Sequence, residues 1–297
     1  MPGEDLPGVI HGTQFLKDVA LGKAPDVRGK RVAVVGGGAV AIDAARTALR
    51  LGATKVHVIY RRTQEEMPAW KEEVHAAFQE GVQFHFLTNP VGVLGPDTVT
   101  GVECHLQRLG EFDASGRRKP IPIEETEFEG AEFVREADIL IPAIGQVPDI
   151  DWMDGKANIG TNRDGTVVTG ADLATTRQGV FAAGDVALGP ATVVEAVAQG
   201  NVVAVAVDAY LKGQPVERPK YVTEYREVPQ LFDLEAYAEA KRPVIRELPV
   251  EERIRKFDEV EAGFDEVTAR EECKRCLRCD LEWLESMGLR TEEKKVA

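Results

Sequence analysis

Three groups of residues in this sequence have types and spacings that could do chemistry, and the first is a glycine turn. Gly36, Gly38 and Ala41 form a G-x-G-x-x-A pattern after the apolar run RVAVV. The first glycine permits a tight strand-to-helix turn, the second lets backbone amides approach a diphosphate, and the small third residue lets helix and strand pack closely. A helix beginning at Ala39 would hold that diphosphate at its positive end. The pattern therefore predicts dinucleotide binding in preference to a merely structural turn.

Two adjacent arginines follow the next predicted strand, KVHVIY. An NAD-binding unit usually has an acid there, about 20 residues after the glycines, which hydrogen-bonds the ribose 2′-hydroxyl. This sequence has Arg61 and Arg62 instead. Guanidinium groups pair bidentately with phosphate, so we expect these arginines to bind the 2′-phosphate of NADP(H). NAD(H) remains possible, with one or both arginines as exposed surface charges.

The second group lies in GVFAAGDVALGPATVVEAVAQG, which begins at Gly179. Here a short predicted strand ends at Gly184 and Asp185, and a loop leads into a helix near Ala191 and Thr192. A carboxylate leaving a buried strand can accept a hydrogen bond from a ligand hydroxyl, and the helix N-terminus can face a polarised ring carbonyl. The alternative is that Asp185 only caps the helix.

The third group is a run of cysteines near the end of the sequence. Cys273, Cys276 and Cys279 have the spacing C-x2-C-x2-C, which opens the bacterial ferredoxin pattern but lacks its fourth cysteine. Zinc would need a fourth Cys or His nearby. Cys104 could be that ligand, although a buried apolar role suits it better, and a partner could supply the fourth ligand. An iron–sulfur cluster, a zinc site and three metal-free thiols all remain open.

The elements that must position these groups alternate between strand and helix. RVAVV is a buried parallel strand, AVAIDAARTALRL is a helix ended by Gly52, and KVHVIY is a second strand. A second helix is expected from Pro68, a favourable first-turn residue. This order predicts an α/β, Rossmann-like three-layer fold of the kind that binds a dinucleotide.

Downstream of Val82 the pattern changes to short strands divided by turns, which we interpret as a β-meander ending in the buried strand Asp138 to Ala143. GVFAAGD is expected to be a strand, and the residues from Gly189 to Leu211 include a long helix with an apolar face. After Gln214 the sequence is charged and helical in pattern, which indicates a solvated, partly mobile extension with little core. The predicted domain boundaries are a connector (1–27), a NAD(P)-binding domain (28–150), a further nucleotide-binding segment (151–214) and a helical extension with the cysteine run (215–297).

Composition excludes several classes of partner. The 297 residues have a formal net charge of −14, which argues against nucleic acid and anionic membrane surfaces. No apolar run in the sequence reaches the roughly 18 residues of a membrane span. The polar, proline-containing start is unlike a secretory signal, so a cytoplasmic location is expected. No nucleophile or acid–base pair stands out, and no residue is assigned a catalytic role.

The segments VVGGGAVAIDAAR, VIYRRTQEEMPA, ADILIPAIGQVPD and GVFAAGDVALGPATVVEAVAQG together resemble the FAD-dependent pyridine-nucleotide oxidoreductases. Within them, the sequence is most similar to the small (beta) chain of NADPH-dependent glutamate synthase and its relatives, over roughly Met1 to Lys212. The resemblance implies NADP contacts at the glycine turn and the two arginines, with Gly145 near the domain junction. It also implies that 1–27 connects to the FAD domain and that 151–214 is the C-terminal half of that FAD-binding domain, with FAD contacts at Gly184, Asp185 and the helix from about Ala191.

The family's cysteine-rich first segment and its FAD-binding G-x-G-x-x-G do not occur in this sequence. We therefore expect another chain, or a longer product, to supply the first FAD-binding half, since the FAD site is incomplete here. The leading hypothesis is an electron-input or electron-output flavoprotein subunit that passes electrons between NADPH, FAD and the iron–sulfur centres of a partner. The alternatives are a glutamate synthase small-subunit-type donor to an amidotransferase, and a non-catalytic nucleotide-binding fragment.

Overall fold

The computed structural model describes residues 1–113, 116–150, 158–216 and 241–274. The described residues form two compact units. One unit contains the described residues of 1–143 together with 241–274, and the other contains those of 144–216. The segment near the end of the chain therefore belongs to the first unit.

A four-stranded parallel sheet forms the centre of the first unit, in the order β3-β2-β1-β8. Strands β1 (Arg31–Val35) and β2 (Lys55–Ile59) pair in parallel and are buried along nearly their whole length. Their runs of valine and isoleucine suit a strand that is covered on both faces. β3 (Gln83–His85) pairs in parallel with the outer side of β2, and β8 (Ile139–Pro142) pairs in parallel with the other side of β1.

Three helices cover this sheet. α1 (Gly12–Ala20) buries Phe15, α2 (Ala39–Arg50) buries a stripe of alanines and Ile42, and α3 (Lys71–Gln79) buries Val74. These side chains join those of β1 and β2 in one apolar cluster. Gly52 follows α2 with a φ of +94°, as expected for a residue that ends a helix. The three-layer α/β prediction is thus confirmed.

Two local predictions were wrong. The helix predicted from Pro68 begins at Lys71, because a short 3-10 helix (Gln64–Glu66) and an extended link precede it. The segment VQFHFL, assigned to the meander, supplies β3 of the parallel sheet. A strand of only three residues has no periodicity that could distinguish the two sheets.

The second sheet of this unit is antiparallel and centres on the long strand β5 (Gly101–Phe112). Its first half pairs with β4 (Thr88–Leu94) on one side and β7 (Glu132–Glu136) on the other, and its second half pairs with β6 (Arg118–Pro122). The predicted meander is confirmed for β4, β5 and β6, which pair in chain order, whereas β7 pairs with β5 and β8 returns to the parallel sheet.

The described residues of the second unit contain two helices, α4 (Asp185–Leu188) and α5 (Val193–Lys212). The strand predicted for GVFAAGD is present only as an isolated bridge between Ala174 and Phe181. A strand needs a ladder of neighbours, and the described residues provide one bridging pair. The long helix α5 is confirmed, and Val193, Val194 and Leu211 on it are more than three-quarters exposed.

Among the described helices, α5 is long and apolar enough to cross a bilayer by length and composition alone. The prediction that no uninterrupted apolar run reaches about 18 residues still holds for the sequence. The helix continues through Gln199 and Asn201, polar residues that divide the apolar run in the sequence.

In the described part of the tail, Arg253 is the only buried residue, which agrees with the expectation of an extension with little core. Glu247 and Glu261 form an isolated antiparallel bridge, and the short helix α6 (Val250–Arg253) lies between them in sequence. A second short helix, α7 (Glu266–Cys273), follows the bridge. The side chain of Arg253 is only 1% exposed, and it contacts Glu80 at the end of α3. One buried guanidinium group thus holds the segment on the α/β layer.

Candidate coenzyme site

The turn between β1 and α2 requires glycine at Gly36. This residue has a φ of +140°, and a Cβ atom there would lie 2.3 Å from the carbonyl oxygen of Ala143. An L side chain therefore meets both backbone strain and a clash with the residue that follows β8. Ala41, the small third residue of the pattern, is fully buried. The structure thus gives Gly36 and Ala41 the roles that the spacing predicted.

Gly37 and Tyr60 form a contact that the spacing did not reveal. A Cβ atom at Gly37 would lie 2.5 Å from the Tyr60 ring, so the ring packs directly on the turn. The Tyr60 hydroxyl donates to the carbonyl oxygen of Glu66 at 2.7 Å, and the Ala69 amide donates to the carbonyl oxygen of Gly37. Gly37 itself was the available sequence signal, since it is a glycine at a position where the G-x-G-x-x-A pattern allows any residue.

The N-terminus of α2 is open and lacks a capping side chain. Gly38 is the N-cap residue with extended dihedral angles, and a Cβ atom there would meet nothing within 4 Å. Among the described residues, no acceptor is present for the amides of Gly38, Ala39 and Val40. Free amides at the positive end of a twelve-residue helix fit a diphosphate. The residues present therefore fit the group that the motif implies.

The structure separates the two arginines expected to hold the 2′-phosphate. Arg61 is exposed, and its guanidinium group has no partner among the described residues. The Arg62 side chain is 4% exposed; its Nη2 lies 2.8 Å from Asp113 Oδ2, and its Nε donates to the carbonyl oxygen of Arg118 at 2.7 Å. Arg61 alone presents a free cation here, and direct phosphate contact by Arg62 stays a prediction that requires Arg62 to leave these partners.

Glu66 fixes the loop after the arginines. Its carboxylate accepts from the amide and hydroxyl of Thr63, which forms a capping box for the 3-10 helix, and it accepts from Arg118 Nε at 3.1 Å. Burial alone would raise the pKa of Glu66, but hydrogen bonds from Thr63 and Arg118 hold it below its ordinary value. Arg62 and Glu66 together tie the β5–β6 turn to the end of β2.

Gly145 is the second residue of the second unit, which begins at Ile144. It is exposed, has a φ of +124°, and has open space where a Cβ atom would stand. Its predicted place near a domain junction stays a prediction.

The residues predicted to hold FAD meet in the second unit. Asp185, Ala191 and Thr192 line a depression of about 510 Å³ together with Val193, Ala196 and Val197. The Asp185 carboxylate is exposed and has no hydrogen-bond partner among the described residues. It is the first residue of α4, a position that also suits a helix-starting acid.

Thr192 lines this depression, and Gly184 directly precedes Asp185, another of its lining residues. Gly184 has a φ of +74°, and its amide donates to Gln199 Oε1 at 2.7 Å. The Thr192 hydroxyl caps α5 and forms a capping box with Glu195. The depression therefore offers a free carboxylate beside a helix N-terminus with small apolar walls, which fits part of a flavin dinucleotide.

Of the cysteine run, the structure describes only Cys273, the exposed last residue of α7. Cys276 and Cys279 lie outside the described residues. Cys104 is fully buried, and burial raises the pKa of its thiol to about 12. A protonated thiol in an apolar cluster is a poor metal ligand, so the buried structural role of Cys104 is supported.

Comparison with known proteins agrees with this geometry. A model of the pyridine nucleotide-disulphide oxidoreductases matches residues 1–200. The chain belongs to this family. Members of this family bind FAD and NAD(P). Thioredoxin reductase from T. acidophilum (TM-score 0.53, 21% identity) covers 72% of this chain, which covers 61% of that structure. This likeness supports the fold alone.

Curated relatives differ in how much of this chain they match. The NADP(+)-dependent formate dehydrogenase subunit beta of Moorella thermoacetica is 46% identical over 93% of the chain. The NADPH-Fe(3+) oxidoreductase subunit beta of Geobacter sulfurreducens is 38% identical over 90%. The glutamate synthase [NADPH] small chain of Azospirillum brasilense is 37% identical over 72%. The chain spans only 40%, 44% and 46% of these relatives, respectively.

Proposed function

We propose that this chain is the NADPH-binding part of a flavoprotein subunit that exchanges electrons between NADP(H) and a partner subunit. The observation that carries the proposal is the open N-terminus of α2 with its three free amides, and the unpaired guanidinium group of Arg61 after β2 supports it. When bound, coenzyme and flavin supply the hydride chemistry. The residues of this chain grip the coenzyme, and none of them is assigned a proton-transfer role.

The extent of the matches favours one kind of relative. Formate dehydrogenase and Fe(3+) oxidoreductase beta subunits match at least 90% of the chain, whereas the glutamate synthase small chain matches 72%. We infer that the C-terminal segment with the cysteine run is a feature shared with the first two. An electron-transfer subunit feeding a dehydrogenase or metal-reducing partner is therefore favoured over an amidotransferase donor.

Helix α5 gives the proposal its partner surface. Val193, Val194 and Val197 are at least 60% exposed on the turns that border the depression. A contiguous apolar face of this kind marks an interface. We propose that the polypeptide carrying the first FAD-binding half covers it, which makes α5 a docking face of a soluble, cytoplasmic protein instead of a membrane span.

The test of coenzyme preference is titration calorimetry of the chain with NADPH and NADH. Arg61→Gln removes the free guanidinium group, and we expect NADPH affinity to fall by about tenfold or more while NADH affinity changes little. Lys55→Gln, which removes an exposed cation at the start of β2, is the control. Equal losses for both coenzymes would contradict the 2′-phosphate assignment, and no binding of either would reject the proposal.

The cysteine run gives a second, separate test. We propose that Cys273, Cys276 and Cys279 bind an iron–sulfur cluster, whose fourth ligand comes from elsewhere. Anaerobic reconstitution with iron and sulfide should give the broad visible absorption of such a cluster, and Cys273→Ser should lose most of it, whereas Cys104→Ser should retain it. Zinc uptake without colour would instead indicate the tetrahedral alternative.

A further inference from the structure

A cavity in the first unit lies far from the coenzyme turn, at the opposite end of α2. It has a volume of about 380 Å³ and is bounded by the end of α2, the loop before β1 and the segment after α6. Its apolar walls come from Leu49, Leu51, Ala53 and Ile254. A volume of this size suits a small organic molecule.

Three arginines and one acid line the same cavity: Arg28, Arg50, Arg255 and Glu80. The charge of Glu80 is already neutralised, because its carboxylate contacts Arg46 at 2.7 Å, Arg50 at 2.9 Å and Arg253 at 3.1 Å. Glu80 and the three arginines that it contacts already carry more positive than negative charge. The acid therefore cannot balance the other guanidinium groups of the wall.

Arg28 and Arg255 are the unbalanced cations. Both side chains are exposed, and neither guanidinium group has a hydrogen-bond or ion-pair partner in the part of the chain that the structure describes. The terminal carbonyl groups of Thr47, Ala48 and Leu49 accept from Leu51, Ala53 and Gly52, so they leave little uncompensated negative charge at this helix end. In a chain with a formal charge of −14, such a local positive excess needs an explanation.

We propose that this cavity binds a small organic oxyanion, a carboxylate or phosphate carried on an apolar body. The oxyanion pairs with Arg28 and Arg255, since guanidinium groups bind both anions bidentately. The apolar body rests on Leu49 and Ile254. Because the site combines α2 with the tail, an anion bound there also holds the tail to the α/β layer. The site is separate from the coenzyme turn and does not depend on the function proposed above.

Titration calorimetry of the intact chain tests the proposal with phenyl phosphate and benzoate, and with benzyl alcohol as the uncharged probe. We expect at least one anion to bind and the alcohol not to bind. The variant Arg28→Gln/Arg255→Gln should raise the dissociation constant by about tenfold or more. Both side chains are exposed, so this variant should fold normally.

The matched control is Arg270→Gln/Lys274→Gln, which removes the same charge from exposed tail ion pairs with Glu266 and Glu271. It should leave the dissociation constant within about twofold of the unsubstituted chain, because exposed pairs contribute little. Binding of phenyl phosphate alone, or of benzoate alone, identifies which oxyanion the site takes. No binding of either anion at about 10 mM, equal weakening by both double variants, or equal binding of the alcohol would overturn the proposal.

Discussion

The guanidinium group of Arg253 lies on the carboxylate of Glu80, with 3.1 Å between Nε and Oε1, and both side chains are withdrawn from solvent. Arg253 also pairs with Glu247, and its Nη2 donates to Gln79 Oε1 at 2.6 Å. Burial would raise the pKa of Glu80, but hydrogen bonds and charges from Arg46 and Arg50 lower it below the ordinary value. The acid is therefore ionised and is the centre of the tail's attachment.

Replacement of this acid should cost much of the stability of the first unit. Glu80→Gln leaves three arginines around a neutral group, and we expect the free energy of unfolding in urea to fall by about 3–5 kcal/mol. Glu266→Gln, in an exposed pair with Arg270, is the control and should cost less than about 1 kcal/mol. Similar losses in the two variants would show that the buried cluster contributes little.

Two glycines of one turn should respond differently to the same added methyl group. Gly36→Ala puts Cβ against the Ala143 carbonyl at a φ of +140°, so we expect a loss of about 2 kcal/mol or more in folding stability. Gly38→Ala has open space and extended dihedral angles, so its stability should change by about 1 kcal/mol or less. Thermal unfolding and calorimetry measure both effects.

Gly38→Ala should nevertheless weaken NADPH and NADH to the same extent, because its methyl group enters the space that a diphosphate would fill. Unchanged binding of both coenzymes would place the diphosphate elsewhere.

Replacement of the buried Arg62 should lower folding stability more than it changes the preference for NADPH over NADH. Arg62→Gln removes the contacts with Asp113 and with the Arg118 carbonyl, so we expect unfolding to become easier by about 2–3 kcal/mol. Affinity for NADPH and NADH should fall together if the loop after β2 loosens. A selective loss of NADPH with normal stability would instead show that Arg62 binds the 2′-phosphate itself. Lys119→Gln, an exposed neighbour on β6, is the control.

A pair of histidines should make stability depend on pH. His57 Nδ1 lies 2.9 Å from His85 Nε2, and Arg135 Nη2 lies 3.4 Å from His85 Nδ1. Burial and the charge of Arg135 lower the pKa of His57 and bring that of His85 to about 4. The unfolded chain, with pKa values near 6.5, therefore takes up protons first as the pH falls.

Stability from this pair is consequently complete above pH 6.5 and is lost as the pH falls towards about 4. Between pH 7 and 4.5, the free energy of unfolding in urea should decrease by about 1–3 kcal/mol, and His85→Gln should make this decrease smaller. His75→Gln, on the exposed face of α3, should leave the pH profile unchanged. Identical profiles for all three proteins would contradict the assignment.

The coenzyme turn could be predicted because its determinants are local. The spacing of Gly36, Gly38 and Ala41 between an apolar run and a helical segment specifies the backbone that the structure shows. Thr192 and Asp185 were also singled out from a local pattern, and both line the depression, although the strand expected before Asp185 is present only as an isolated bridge.

The roles of Arg62 and Arg253 could not be predicted because their partners are distant in sequence. Arg62 reads as a twin of Arg61 until Asp113 and the β5–β6 turn are brought beside it. Arg253 lies in a charged stretch without apolar periodicity, so nothing local shows that three arginines share one carboxylate. β5 likewise gives no local sign that it pairs with three strands.

Helix α2 begins at the glycine turn and ends with Arg50 in the cluster around Glu80. At about 1.5 Å per residue, its twelve residues keep the two ends roughly 18 Å apart. Because neither end of the helix contacts the other, a substitution at the tail cluster changes the anchoring of the tail without moving the backbone amides of the turn. Evolution could therefore alter the C-terminal segment while the preference for one coenzyme is kept.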